Sequence, residues 1–277
     1  MPNPTVFILA RSKKRKNWSG FLERRLRRLG VPVYRVTPNT VPKFRPERVK
    51  LVINYGCGTT PVWWGRLPAD VVVLNTPEQV SVSCNKVSMQ AHLPAGNRLL
   101  FTTDKSNAQQ TITNGGTIVS RTILNGHSGA GIVLSPPEPL PDAELYTVLK
   151  RGRNINEYRV WFNGNNTIDV AQKRRYNTER LNALGIDRND RYGQVVRAHK
   201  FGWAFTRNDM NVTDTELFGT IVRASTAVIT WGCVDVLIDS ETRDWWIVET
   251  NTAPGMSDRR TRTAIINSLM TTTQEVL

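Results

Sequence analysis

The segment Gly232–Gly255 constrains this chain more than any other. Two apolar runs, Cys233–Ile238 and Trp245–Val248, flank the polar stretch Asp239–Asp244, the pattern of two strands joined by a turn. Asp235 and Glu249 stand at equal distances from residue 242, the middle of that turn. A hairpin closed there sets the two carboxylates opposite each other on adjacent strands. Strand alternation puts Asn251 on the same face as Glu249. Three oxygen-bearing side chains on one patch are the donors a hard cation such as Mg²⁺ takes; the same spacing also suits a solvated hairpin face. The continuation Asn251-Thr-Ala-Pro-Gly255 stops the strand just beyond them.

Upstream, Thr5–Ala10, Val31–Val36, Leu51–Tyr55 and Val71–Leu74 read as strands. Between the first two, a helix capped by Ser19 runs to Leu29, with Leu22, Leu26 and Leu29 as its apolar stripe and Gly30 as its stop. This alternation predicts a small α/β domain with a mainly parallel sheet over 1–75. Asn75-Thr76-Pro77 opens the remainder, 76–277, expected as two α+β lobes over 76–150 and 151–277. A helix is expected over Val80–His92. Strands follow at Arg98–Thr102, Gly116–Arg121, Gly131–Leu134, Leu145–Leu149, Ile155–Phe162 and Thr167–Ala171, the last two joined by the turn Asn163-Gly164-Asn165-Asn166. Residues 177–192 read as an exposed loop. Helices are expected from Thr213 or Asp214 to about Thr230, and from Asp258 to the end of the chain.

Charge is unevenly spread. Residues 1–80 hold 15 Lys and Arg against 4 Asp and Glu, a net +11 out of +14 for all 277 residues. The densest part is Arg11, Lys13, Lys14, Arg15, Lys16, Arg24, Arg25, Arg27 and Arg28. Such asymmetry points to a polyanionic partner there, nucleic acid or an acidic polypeptide; a solubilising surface has the same composition. No apolar run approaches the ~20 residues of a membrane helix, so no membrane partner is expected. The N-terminus does not read as a signal peptide, because its charges follow its apolar stretch. Cys57, Cys84 and Cys233 are scattered and form no C-x-x-C, which gives neither a disulfide framework nor a zinc site. A cytoplasmic location is expected.

Gly126-His127-Ser128-Gly129-Ala130-Gly131 lies between two expected strands. Its glycines allow backbone N–H groups close to a phosphate, and equally a plain tight turn. It is not the nucleophile elbow of hydrolases, since Ala130 stands where glycine is needed and a strand follows. No P-loop and no H-E-x-x-H occurs.

Asp235 together with Val-Glu-x-Asn-x-x-Pro-Gly at 248–255 resembles the C-terminal metal motif of the ATP-grasp superfamily, nearest the branch of glutathione synthetases and ribosomal-protein glutamate ligases. The resemblance implies an ATP-grasp fold, α/β plus α+β, with a small N-terminal α/β domain ahead of two lobes that grip ATP. It implies Mg²⁺ (or Mn²⁺) on Asp235, Glu249 and Asn251, and phosphates under the loop of Gly126, His127, Ser128, Gly129 and Gly131. Lys86 and Arg121 match the two phosphate-binding lysines, Arg121 with a departure from lysine. Tyr146, Val148 and Lys150 match the strand whose backbone meets adenine, Glu157 the acid near ribose, and Arg159 the arginine facing phosphate or acceptor. Lys173 and Arg174 match the basic end of the return strand, and His199-Lys200 the substrate cleft. The implied activity is carboxylate–amine ligation through an acyl phosphate, with donor and acceptor unspecified. A nucleic-acid-binding protein on a degenerate ATP-grasp frame and a kinase stand as alternatives. Composition also resembles small ATP-grasp proteins of tailed bacteriophages.

Overall fold

The computed structural model describes residues 5–12, 18–40, 45–124, 130–150, 152, 154–207 and 215–277. β1 (Thr5–Ala10), α1 (Trp18–Arg28), β2 (Val33–Val36), β3 (Val49–Tyr55) and β4 (Val72–Leu74) come first, their strands forming a parallel sheet in the order β2-β1-β3-β4. The near-continuous apolar runs of β1 and β3 are those of strands covered on both faces. α1 begins at Trp18 and buries Leu22 and Leu26. Two expectations fail here: Ser19 lies inside the first turn, buried, and Leu29 falls beyond the helix, 48% exposed. Arg24, Arg25, Arg27 and Arg28 are exposed on α1, whereas Lys13–Lys16 lie outside the described residues.

α2 (Pro77–Cys84), α3 (Lys86–His92), β5 (Phe101–Thr102), α4 (Lys105–Thr113), β6 (Ile118–Arg121), β7 (Ile132–Ser135) and β8 (Leu145–Val148) follow, with an antiparallel sheet β5-β8-β6-β7. The single helix expected over Val80–His92 is two. Thr76 and Gln79 form a capping box at the start of α2. Asn85 breaks the run, its Oδ1 accepting from the Val87 and Ser88 amides to cap α3.

β9 (Ile155–Asn163), β10 (Asn166–Arg175), α5 (Thr178–Ala183), α6 (Arg191–Val195), β11 (Trp203–Thr206), α7 (Thr215–Ser225), β12 (Trp231–Asp239) and β13 (Trp245–Asn251) form the last lobe, an antiparallel sheet β11-β10-β9-β12-β13, and α8 (Arg259–Val276) closes the chain. The β9–β10 turn is the expected one, with Gly164 at φ 55°. Residues 177–192 are not an irregular loop: Asn177 caps α5 and Asp190 caps α6. The two faces of the large sheet part company. Val160, Phe162, Val170, Val234 and Val236 pack on α3 and α7. Trp161, Ala171, Trp231 and Cys233 share one core with the first sheet, α1 and α8.

Asn75, at φ 66°, joins the first sheet to β12. Its Nδ2 donates to Trp231 O at 2.6 Å, and its Oδ1 accepts from Thr230 N at 2.8 Å and Trp231 N at 3.1 Å. Asparagine is among the few residues tolerated at positive φ. Asn75→Ala is expected to destabilise by about 2 kcal/mol, by stranding buried backbone groups; an unchanged denaturation midpoint would refute this bridge.

Candidate functional site

The sheet face that shares the first core continues past it into a cavity of about 820 Å³ between the large sheet and the β5–β8 sheet, within the range of small-molecule sites. Its floor carries three carboxylates from three strand positions, each paired with a cation. Asp235 on β12 lies opposite Glu249 on β13, as expected, and opposite Arg159 on β9, although the hairpin closes half a residue before position 242, with Ile238 against Trp245. The Arg159 Nε and Nη2 donate to Oδ1 and Oδ2 of Asp235 at 2.7 and 2.8 Å, a bidentate pair. Burial pushes the Asp235 carboxyl up, but the guanidinium outweighs it and holds the group below the ordinary carboxylate value. Lys173 Nζ donates to Glu157 Oε1 at 2.7 Å, with Arg197 Nη1 3.9 Å from Oε2. Burial raises the Glu157 pKa against the attraction of Lys173. Lys86 Nζ lies 3.0 Å from Glu249 Oε1; the Asn85 break makes Lys86 the first residue of α3.

A β-bulge tunes the hairpin. Asp235 pairs with Glu249 but Val236 with Ile247, so Val248 is an extra residue. Plain alternation from the Leu237–Trp246 pair would face Val248 into the cavity and turn Glu249 away; with the bulge, Val248 and Glu249 both line it. The remaining apolar lining includes Leu99, Val119, Val148 and Leu237.

Arg121 lines the opposite wall from β6, paired with Ile132 on β7. Its side chain has no hydrogen-bond partner among the described residues. Burial lowers its pKa, countered by the charge of Glu249, and an arginine stays protonated regardless. This wall leads into the glycine loop. Gly131, at φ 69°, leaves no room for a Cβ, which would meet Ile123 at 2.9 Å. Gly126, His127, Ser128 and Gly129 lie outside the described residues.

The expected site residues divide. Arg121, Val148, Lys150, Glu157, Arg159, Lys173, Asp235 and Glu249 line the cavity. Lys150 also sits 4.5 Å from the Trp246 ring. Lys86 reaches the floor only through Glu249. Two expectations are corrected. Arg174 alternates to the other face of β10, where its Nε donates to Gln172 at 2.8 Å. The Tyr146 ring is buried with Ala108 and Ile118, its hydroxyl donating to Pro141 O at 2.9 Å, and both edges of its strand are paired. Asn251, opposite Cys233 on the sheet face of Asp235 and Glu249, stands at the margin of the cavity lining, its Oδ1 accepting from Ala253 N at 2.9 Å. His199 lines the cavity, its Nε2 3.3 Å from the Tyr176 hydroxyl, whereas Lys200 sits 4.9 Å from the Phe201 ring. Arg197, Trp203 and Phe205 also line it; the sequence signals them only by proximity to His199.

Among the described residues no three His, Cys, Asp or Glu gather as a metal group, so a metal here depends on two carboxylates and an amide. That donor set fits a hard divalent cation. The Glu249 side chain is 43% exposed with one partner. Carboxylate and carboxamide oxygens carry a second lone pair, which leaves acceptor capacity on Asp235 and Asn251 beside their present bonds.

No family model matches the sequence, and no curated protein matches it. Solved structures do. The chain is similar to the ATP-grasp ligase PsnB complexed with a minimal precursor, at 13% identity and TM-score 0.61, over 98% of this chain and 99% of that one. A Chryseobacterium gregarium RiPP-associated ATP-grasp ligase, solved with ADP and a leader and core peptide, shares 11% identity and TM-score 0.59 over 97% of each chain. D-alanyl-alanine synthetase A from Vibrio cholerae shares 14% identity and TM-score 0.55 over 97% of this chain and 94% of that one. At these identities the likeness concerns architecture: the fold of this chain is similar to that of the ATP-grasp ligases among these structures.

Proposed function

We propose that the chain is an ATP- and Mg²⁺-dependent ligase that joins a carboxylate to an amine through an acyl phosphate. The observation that carries this reading is the row of acid–cation pairs on the cavity floor, faced by the guanidinium of Arg121, which has no ion-pair partner among the described residues. Such a surface offers both oxygen donors and cations to a polyphosphate. Asp235, Glu249 and Asn251 would hold Mg²⁺, which when bound screens the phosphate oxygens and makes the terminal phosphorus more electrophilic. The apolar lining from Leu99, Val119, Val148, Leu237 and Val248 takes the base. Arg121, Arg159 and Lys173 neutralise the phosphate oxygens while a carboxylate oxygen attacks the γ-phosphorus and the bond to the β,γ-bridging oxygen breaks, releasing ADP. The amine nitrogen then attacks the acyl carbon, phosphate departs, and the nitrogen loses its proton to water. No side-chain nucleophile is required, because catalysis is positioning and charge stabilisation.

The acceptor side is read from charge. Exposed Arg24, Arg25 and Arg28 on α1 suit an anionic substrate, and one of the similar proteins was solved with a leader and core peptide. A peptide with acidic residues is therefore the first candidate and nucleic acid the second. The test is mass spectrometry after incubation with ATP, Mg²⁺ and pools of amino acids, acidic peptides and oligonucleotides. The expected product weighs the sum of two substrates less one water, formed with ADP and phosphate. A phosphorylated product without condensation would establish the kinase reading instead, and absence of ADP would sink both.

A further inference from the structure

Two of the cavity's cations share one aromatic ring. Phe205 lies on the edge strand β11 directly opposite Lys173 on β10 and lines the cavity. The Arg159 Cζ is 4.2 Å from its ring centroid and the Lys173 Nζ is 5.0 Å from it. Each cation is also held by an acid of its own, Asp235 for Arg159 and Glu157 for Lys173.

We propose that Phe205 is a positioning residue that sets Arg159 and Lys173 side by side as a two-pronged clamp for the terminal phosphoryl group of ATP, an inference that rests on the ligase reading. The argument is electrostatic and geometric. Two cations brought together repel, and each sits on a long side chain with many rotamers. The acids tether them from one side only, so the spacing between the two charges needs a second restraint. The negative face of an aromatic ring attracts both without neutralising either. The charge of the pair stays available to a phosphoryl group, which a third carboxylate would have cancelled. The ring is itself fixed, since β11 is hydrogen-bonded to β10 and the neighbouring Trp203 Nε1 donates to Gly193 O at 2.8 Å.

Phe205→Leu removes the ring face and keeps an apolar side chain; Phe205→Tyr keeps the face. A clamp on the terminal phosphoryl group acts on a nucleoside triphosphate and spares a diphosphate, whereas a general packing role affects both alike. Calorimetric binding of the non-hydrolysable analogue AMP-PNP and of ADP, each with Mg²⁺, is the experiment. Phe205→Leu should weaken AMP-PNP about tenfold, the sum of two cation–π contacts, and ADP less than about twofold. Phe205→Tyr should bind both as the wild type does. Phe205→Met repeats the test should the leucine variant fail to fold. Equal weakening of both ligands, no weakening of AMP-PNP, or failure of tyrosine to restore it overturns the clamp while leaving the ligase reading in place. Wild-type protein that binds neither nucleotide overturns the ligase reading and the clamp together.

Discussion

Arg159→Met is expected to cost about 3–5 kcal/mol of folding stability, the usual effect of removing one partner of a buried ion pair. At this chain length that corresponds to a fall in melting temperature of roughly 10 °C. Asp235, whose side chain is 8% exposed, would keep its charge and lose the bidentate fork that satisfies it. The double variant Arg159→Met/Asp235→Leu should recover most of the loss, because both polar partners leave together. The pH dependence gives an independent check. The wild-type Asp235 pKa lies below the ordinary value, so the pair contributes stability above the ordinary aspartate range of ~4 and loses it as pH falls through the folded value. In Arg159→Met, burial acts on Asp235 with far less opposition and raises its pKa. The variant's deficit should then be greatest near neutrality and shrink as pH falls and Asp235 protonates. Thermal melts across pH 4–8 measure this, and a deficit that grows in acid would contradict the pairing.

The same pair shows what a sequence can and cannot convey. The opposition of Asp235 and Glu249 was expected from their equal offsets from residue 242, but the hairpin closes half a residue earlier and the bulge at Val248 is what sets them opposite. Their cations were not. Arg159 and Lys86 meet these two acids from a strand and a helix distant in sequence, where register and not spacing decides the partner. The bulge at Val248 left no composition cue, since valine suits a regular strand equally well. Arg174 was misplaced for a related reason: in Lys173-Arg174-Arg175 charge gives no phase, and only pairing with β9 and β11 fixes which residue enters the cavity. The break at Asn85 shows the reverse. Asparagine is a strong cap, but in the middle of the expected helix Val80–His92 its capping signal was passed over. The parallel first sheet was readable from its apolar strands; the core it shares with Trp161, Trp231 and α8 was not, because long-range packing leaves no periodic trace.

Glu249→Gln is expected to lower ATP turnover at least 100-fold while leaving the melting temperature within about 3 °C of wild type. The two effects separate because the side chain has two faces. Toward Lys86, a carboxamide oxygen can accept the hydrogen bond that Glu249 Oε1 now accepts at 3.0 Å, so the buried ammonium keeps a partner. Toward the cavity, the substitution removes one of the two negative charges, Asp235 and Glu249, that the floor offers for holding a divalent cation against the phosphates. An amide oxygen is a neutral and weaker donor for such an ion. Asp235 alone supplies a single negative charge, already shared with Arg159, and does not replace the second. Exposed Glu241, on the turn of the same hairpin, supplies the control: Glu241→Gln changes the formal charge equally and should alter neither turnover nor stability. ADP release under saturating ATP and Mg²⁺ is the measurement. Turnover of Glu249→Gln within about threefold of wild type, a difference of less than 1 kcal/mol in barrier, would remove the cation from this hairpin and leave its carboxylates as partners of Lys86 and Arg159 alone.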